Sequence, residues 1–459
     1  MRSPLWLLVA LGCLLRLLGL TVHSLWYDEC ATIHVATATD PIAALHGDRH
    51  PPLTFLAFRL WIQWFGEDDF ALRLLPALIS CVTLALFASI ARRWLAPRAA
   101  LVATALQATS AFAIWHGQEV RMYAFVELAT VVAVSGFARV EAGRKSTGAM
   151  LVCVGTFLGL GSHYFGGAVT AQIAALTLVR RTPRGTRGLT VAAAAIGALL
   201  WLPWMWQVIP DQLATPWAFQ SRLSATELAR LPVRLLLIQL SSLPTFLVYN
   251  AAGLIGLGLL SCLCGLRRQR LDRTLLTLMA TPIALALAMA LVAPANFAPN
   301  YLIAAAPWCA MAVASGLSRL PARLHLLGYA LPAATLAACL LLRQENLRED
   351  YRSACAEALA ALRPGDLLVS VTGSPEPFSR APLQHYLRAL PDLEQRLVDP
   401  VQARARLEDP AFTADLHVVY RVADYAAPLL DSLRAVGDVA QKGPVRYRVQ
   451  HLVVAPRAR

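Results

Sequence analysis

Two acidic side chains stand together in Trp26-Tyr27-Asp28-Glu29, a few residues past an apolar stretch that ends near residue 22. A carboxylate at such a border could take the proton of a nucleophile attacking a centre that a lipid carrier holds at headgroup level. An isolated acidic pair is more often a solvated loop, so its company decides. Downstream come His50-Pro51-Pro52 and then Glu67-Asp68-Asp69-Phe70-Ala71-Leu72-Arg73. A second polar cluster, His116-Gly117-Gln118-Glu119-Val120-Arg121-Met122-Tyr123, lies between two apolar runs, where ionisable groups are costly and line a cavity or pair with one another. Read as a helix, it sets Glu119 and Tyr123 four apart on one face and Gln118 and Arg121 three apart. Ser162-His163-Tyr164 is a third group, although a lone histidine in such a loop is more often structural.

These residues need elements to hold them, and composition says which kind. Of 459 residues, 57% are hydrophobic and 15% charged, and the apolar ones come in blocks long enough to cross a bilayer. The chain reads as an α-helical polytopic membrane protein. Apolar stretches place spans near 4–22, 71–91, 99–115, 121–138, 148–163, 166–180, 189–206, 244–264, 274–293, 300–318 and 323–342, about eleven transmembrane helices. The net charge of +13 could signal nucleic acid, but the arginines sit in short clusters in every second loop, which encodes orientation in a membrane. No nucleic-acid partner is expected. Those clusters put the N-terminus in the cytoplasm, and an odd number of spans leaves the C-terminus outside. The first 22 residues have a basic start and an apolar core without a small-residue cleavage site, and read as an uncleaved first span.

Two domains are expected: a transmembrane domain over 1–342 and a small periplasmic soluble α/β domain over 343–459, where charges rise. In the first, the outer loop 23–70 holds Leu53 to Phe65, apolar but carrying Arg59 and Gln63, which suits a helix lying at the interface. In the second, Arg352 to Leu362 reads as a helix, and Leu367 to Val371, Leu416 to Val422 and Val445 to Val454 as strands. Nine scattered cysteines form no metal-like pattern, while Cys30 and Cys355, both on the outer side, could form a disulfide. No His/Asp/Glu cluster has metal-ligand spacing, so no cofactor and no dedicated metal site is expected, a divalent cation staying a possibility.

Taken in order, Trp26-Tyr27-Asp28-Glu29, His50-Pro51-Pro52-Leu53, Phe70-Ala71-Leu72-Arg73-Leu74 and Gln118-Glu119-Val120-Arg121-Met122-Tyr123 resemble the GT-C glycosyltransferases of the protein-mannosyltransferase and aminoarabinose-transferase type. The likeness covers most of the chain and extends to Tyr301-Leu302, to Tyr351-Arg352 and to Arg363-Pro364-Gly365-Asp366. It implies transfer of a sugar from a polyprenyl-phosphate donor to a lipid, glycan or protein acceptor at the periplasmic face of a bacterial inner membrane. In that family the acid of the first outer loop is catalytic, which carries over to Asp28, with Glu29 beside it. Displacing a polyprenyl phosphate needs one base and cationic or hydrogen-bonding partners for the leaving phosphate, and a single displacement inverts the anomeric carbon. Arg121 is the first choice for the phosphate, then Arg73 and His50; Glu119, Gln118, Tyr123, His163, Tyr164, Asn300 and Tyr301 complete the expected substrate-binding set. Where many relatives have Arg before the Tyr-Leu pair, this chain has Asn300. The C-terminal domain is expected to choose the acceptor. Two other readings stand beside the enzyme: an exporter of lipid-linked glycans, which would show broken helices or charges near the middle of several spans, whereas here Arg16 is the clearest and the other polar residues gather at the outer ends, and a non-catalytic relative serving as a partner.

Overall fold

The computed structural model describes residues 2–46, 50–214, 225–238, 240–266, 269–292, 298–344, 348–372, 378–421, 427–441 and 448–456. The chain divides into two compact units, Met1–Leu20 with Ile42–Glu345 and Thr21–Pro41 with Asn346–Arg459. The second boundary lies close to the composition change at 343, but the segment bearing Asp28 groups with the C-terminal residues and not with the helices that flank it in sequence.

The first unit is helical. A helix lies under each apolar stretch of the sequence, and among the described residues six are long and apolar enough to cross a membrane, or eight if each of two bent pairs is one span. The helices at Pro4–Leu17 and Tyr164–Val179 are apolar but short. Leu53–Phe65, thirteen residues, is too short to cross; it buries Thr54, Phe55 and Phe58 and exposes Leu60, Trp64 and Phe65, as an interfacial helix does.

Close packing in this unit comes from missing side chains. Tyr123–Glu141 and Lys145–Ser162 form a hairpin turned at Gly143, whose φ of +84° a side chain would strain. A Cβ on Gly136 would stand 2.6 Å from the carbonyl oxygen of Gly148, so the two backbones touch, the approach small residues permit inside a membrane. Polar side chains tie further helices together. Gln172 accepts from Thr130 Oγ1 at 2.8 Å and donates to the carbonyls of Leu278 and Ala304 at 2.7 and 3.0 Å, while Trp308 Nε1 donates to the same Thr130 hydroxyl at 3.0 Å.

One bent pair, Pro97–Thr109 and Ala111–Gly117, turns by 48° at Ser110. Such a break orphans the carbonyls at the end of the first helix. Arg16, fully buried, donates to two of them, Gln107 at 2.9 Å and Ala108 at 3.2 Å, as well as to Ser80 Oγ at 2.8 Å and its own Gly12 carbonyl at 3.0 Å. The mid-span charge is therefore a cap for a broken helix.

The second unit holds a four-stranded sheet, β1 (Leu367–Val371), β2 (Leu416–Arg421), β3 (Gly437–Gln441) and β4 (Val449–Pro456), in the order β1-β2-β4-β3. β1 and β2 run parallel, with Leu367 opposite Leu416; the other pairs are antiparallel. Alternate residues face two cores. Leu416, Val418 and Tyr420 pack with Ala403 and Leu407 of the helix Pro400–Glu408, and Val419 and Val449 pack with Tyr351, Ala354 and Cys355 of the helix Tyr351–Ala361. The expected helix and β1 fall where the sequence put them; β4 starts at Val449, residues 445–447 lying outside the described residues, and β3 is an addition. Cys30 and Cys355 are both buried and are not joined in a disulfide; Cys355 packs in the apolar core, where burial pushes its thiol up.

The segment 21–41 belongs to this unit through specific bonds. Tyr386 OH accepts from Leu25 N–H at 2.6 Å and lies 3.0 Å from Ser24 Oγ, and the Arg352 guanidinium donates to the carbonyls of Thr21 and His23, both at 3.1 Å. Tyr27 packs against the core of Tyr351 and Leu383. Beneath the sheet, buried Asp366 accepts from the amides of Arg363 and Asp415 at 2.7 and 3.0 Å and lies 3.1 Å from His417 Nε2, whose other ring nitrogen is 3.1 Å from His451 Nε2. Losing one acceptor there leaves several buried donors unpaired. Asp366→Ala is expected to destabilise this unit by about 3 kcal/mol, read as earlier chemical unfolding of the purified protein followed by proteolysis of the C-terminal unit.

Candidate active site

In the helical unit the polar residues gather around one break. The residues 118–122 are not helical, so the sequence-based i,i+4 pairing of Glu119 with Tyr123 does not hold; a new helix starts at Tyr123. The cause is Gln118, whose Nε2 turns back to the carbonyls of Arg16 and Leu18 at 2.8 and 2.9 Å, beyond the end of the first helix. Arg73 serves the same region, donating to the Leu20 carbonyl at 2.9 Å while 2% exposed. Both residues thus fasten the exit of the first helix.

Released from the helix, Glu119 folds back on His116 and Trp115. Its Oε2 lies 2.7 Å from His116 Nδ1 and its Oε1 accepts from Trp115 Nε1 at 3.0 Å, with both His116 and Glu119 buried. The His116 ring meets Phe112 and Tyr123 edge-on, with centroids 4.5 and 4.8 Å away. The Tyr123 hydroxyl accepts from Asn300 Nδ2. Asn300 thus belongs to this chain of contacts, and its neighbour Tyr301 continues it: the Tyr301 ring lies 5.0 Å from that of His163 and stacks on Phe165 at 4.8 Å.

His163 ends the helix Lys145–Ser162 and its Nδ1 accepts the Phe165 amide at 3.0 Å, so a neutral ring carries its proton on Nε2. The His50 ring is 5.3 Å away, and Arg121 Nη2 lies 3.5 Å from His50 Nε2. Arg121 is itself 4% exposed. Tyr164, half-buried, opens the one-turn helix Tyr164–Gly166 beside His163. The structure therefore joins His50, Arg121, His163 and Tyr301, and through Asn300 links them to Tyr123, His116 and Glu119. A guanidinium, two imidazoles and phenols of this kind suit an anionic oxygen-rich group.

Asp28 and Glu29 belong to the other unit, in the first turn of the helix Tyr27–Thr37. They are not equivalent. Glu29 is fully buried, accepts the Trp26 amide at 3.2 Å and pairs with Arg348 at 3.1 Å, so its carboxylate holds the helix start. Asp28 is half-buried. Sequence reasoning gave His116 no role of its own and passed over Arg348; the His-x-x-Glu spacing of His116 and Glu119 was the available signal for the first. Among the described residues no group of three His, Cys, Asp or Glu is placed to hold a metal ion.

With this geometry in view, comparison with known proteins is informative. Residues 49–207 match the model of a family described as dolichyl-phosphate-mannose-protein mannosyltransferase. The whole chain superposes on ArnT from Cupriavidus metallidurans in the apo state, with a TM-score of 0.65 at 14% identity, covering 100% of this chain and 99% of that one. The same protein bound to undecaprenyl phosphate gives a TM-score of 0.63 at 15% identity, covering 98% of each chain. The arabinofuranosyltransferase AftD from Mycobacteria gives 0.56 at 15% identity, covering 100% of this chain and 40% of that one. No curated protein matches the chain. The chain is a helical protein of the fold class that ArnT has, and six to eight of its helices, among the described residues, are long and apolar enough to cross a membrane. Within that class, the resemblance to ArnT runs through both units, while the family model lies within the helical one.

The Glu119 carboxylate is the acceptor for two buried donors. Glu119→Ala is expected to lower stability by about 3 kcal/mol, and Glu119→Gln, which keeps an acceptor for Trp115, by about 1 kcal/mol; thermal unfolding in detergent ranks the two.

Proposed function

We propose that this protein transfers a sugar from a polyprenyl-phosphate carrier to a hydroxyl acceptor at the periplasmic face of a bacterial inner membrane, with Asp28 as base. The observation that carries the reading is the buried Arg121, grouped with His50, His163 and Tyr301 in a fold whose neighbour ArnT is known bound to undecaprenyl phosphate. A phosphate brought among those groups meets one fixed cation and neutral donors that need no rearrangement as charge develops. Asn300 does not supply the charge expected there in relatives, since it donates to Tyr123; Arg121 is the cation that replaces it.

In the step itself the acceptor oxygen bonds to the anomeric carbon as the bond to the phosphate oxygen breaks. Asp28 takes the acceptor's proton, and the electron pair leaves with the polyprenyl phosphate, whose charge Arg121 offsets. One displacement inverts the anomeric configuration. The basic clusters that alternate along the sequence support a cytoplasmic N-terminus and an outer C-terminal unit. The acceptor is a lipid, a glycan or a protein hydroxyl. Against an exporter, the mid-span charge Arg16 is spent on helix carbonyls, which gives the first helix break a structural cause.

The test is transfer of radiolabelled sugar from a panel of polyprenyl-phosphate sugars in membranes carrying the intact protein, with Asp28→Asn at equal abundance beside it. Asp28→Asn is expected to lose at least about a thousandfold. Arg121→Met is expected to weaken binding of undecaprenyl phosphate by about a hundredfold. Transfer that is indifferent to Asp28 from every donor would sink the reading.

A further inference from the structure

The helix bearing Asp28 is gripped at its first turn by side chains from more than 300 positions away in sequence. Tyr27, Asp28 and Glu29 are its first three residues, where backbone N–H groups lack partners within the helix. Glu349 Oε2 accepts the Tyr27 amide at 3.2 Å. Arg348 Nη1 reaches Glu29 Oε2 at 3.1 Å, and that oxygen also accepts the Trp26 amide. Arg421 Nε stands 2.5 Å from Glu349 Oε1. Two ion pairs therefore bracket Asp28 along the chain, and Glu29, Arg348 and Glu349 are 0%, 5% and 4% exposed.

Holding a helix in place does not require this. Tyr27 already packs against the apolar core, and buried ion pairs cost desolvation that apolar contacts avoid. What the pairs add is direction and charge. Each fixes the backbone beside Asp28 by a bond of defined angle, and misplacing a catalytic group by about 1 Å can cost about a hundredfold in rate. The Glu349 carboxyl is pushed up by burial, against the pull of Arg421 and the Tyr27 amide, and the Asp28 charge adds to the rise. The two carboxylates therefore lie close enough to act on each other.

We propose that Arg348, Glu349 and Arg421 are positioning residues for Asp28: Arg348 locks the helix start through Glu29, while Glu349, held by Arg421, anchors the preceding amide and sets a second negative charge beside the base. The inference rests on Asp28 being the base of the transfer reaction. It makes the C-terminal unit part of the catalytic apparatus as well as a candidate for acceptor choice.

The experiment measures kcat, donor KM and the pH dependence of transfer for the full-length protein and for Asp28→Asn, Arg348→Met, Arg348→Lys and Glu349→Gln, with the folded fraction of each measured by thermal unfolding. Arg348→Met is expected to lower kcat by about ten- to a hundredfold with donor KM unchanged, and Arg348→Lys to recover part of the loss. Glu349→Gln keeps an acceptor for the Tyr27 amide and removes the charge. Its acidic limb should move to lower pH, because a negative charge that opposes ionisation of a neighbouring carboxyl is gone. If Asp28→Asn is inactive while Arg348→Met and Glu349→Gln keep the parental kcat and pH profile, the positioning role is overturned and the base assignment stands. A kcat loss accounted for by the unfolded fraction, with no shift of the limb, also overturns it. If Asp28→Asn transfers as the parent does, the base assignment falls and this inference falls with it.

Discussion

A buried guanidinium in the last turn of an apolar helix has to find its acceptors inside the protein, and the way Arg16 does so governs the architecture of the helical unit. Its partners are the carbonyls set free where the helix Pro97–Thr109 stops, together with Ser80 and Gly12. Because those carbonyls are satisfied, the chain can bend at Ser110 and start again as the short helix Ala111–Gly117. That helix delivers Trp115 and His116, and the non-helical stretch after it frees Glu119 and Arg121 from helical spacing. Gln118 closes the loop by capping the carbonyls at the end of the first helix, the one that carries Arg16. The functional cluster is thus hung from the first helix by two opposite devices, a cation on one helix end and an amide on another.

Around that frame, polar and small residues divide the labour. Glycines let Tyr123–Glu141 and Lys145–Ser162 approach until backbones touch, which fixes His163 at the end of the hairpin. Gln172, Thr130 and Trp308 then bind further helices by hydrogen bonds that lipid cannot replace.

What the sequence discloses and what it hides divides along the range of the interactions. The helix Leu53–Phe65 and the strand Leu367–Val371 are legible because apolar runs bounded by Pro or Gly are local signals. β3 is not, since Gly437-Asp438-Val439-Ala440-Gln441 has little β preference and pairs only because β4 offers an edge. The bends within spans are not legible, because an apolar run says nothing about where the helix within it stops or turns. The polar motifs of the site were legible as residue types in a given order, yet the bonds of Gln118 and Arg73 to the end of the first helix and the ion pair of Glu29 were not, since their partners lie tens to hundreds of residues away. No periodicity in a single sequence carries that information.

The second unit is discontinuous in the chain, and this bears on how the protein is made. The helix Tyr27–Thr37 leaves the ribosome long before the residues that fix its start, Arg348, Glu349 and Arg421. For most of synthesis its partners do not yet exist, and closing so long a loop is an entropically late event. The arrangement works as a check on completeness: a nascent chain cannot set its proposed base in place until the whole membrane unit between the two halves has been inserted. A reactive carboxylate is thereby withheld from substrate until the machinery that handles the rest of the reaction has been built.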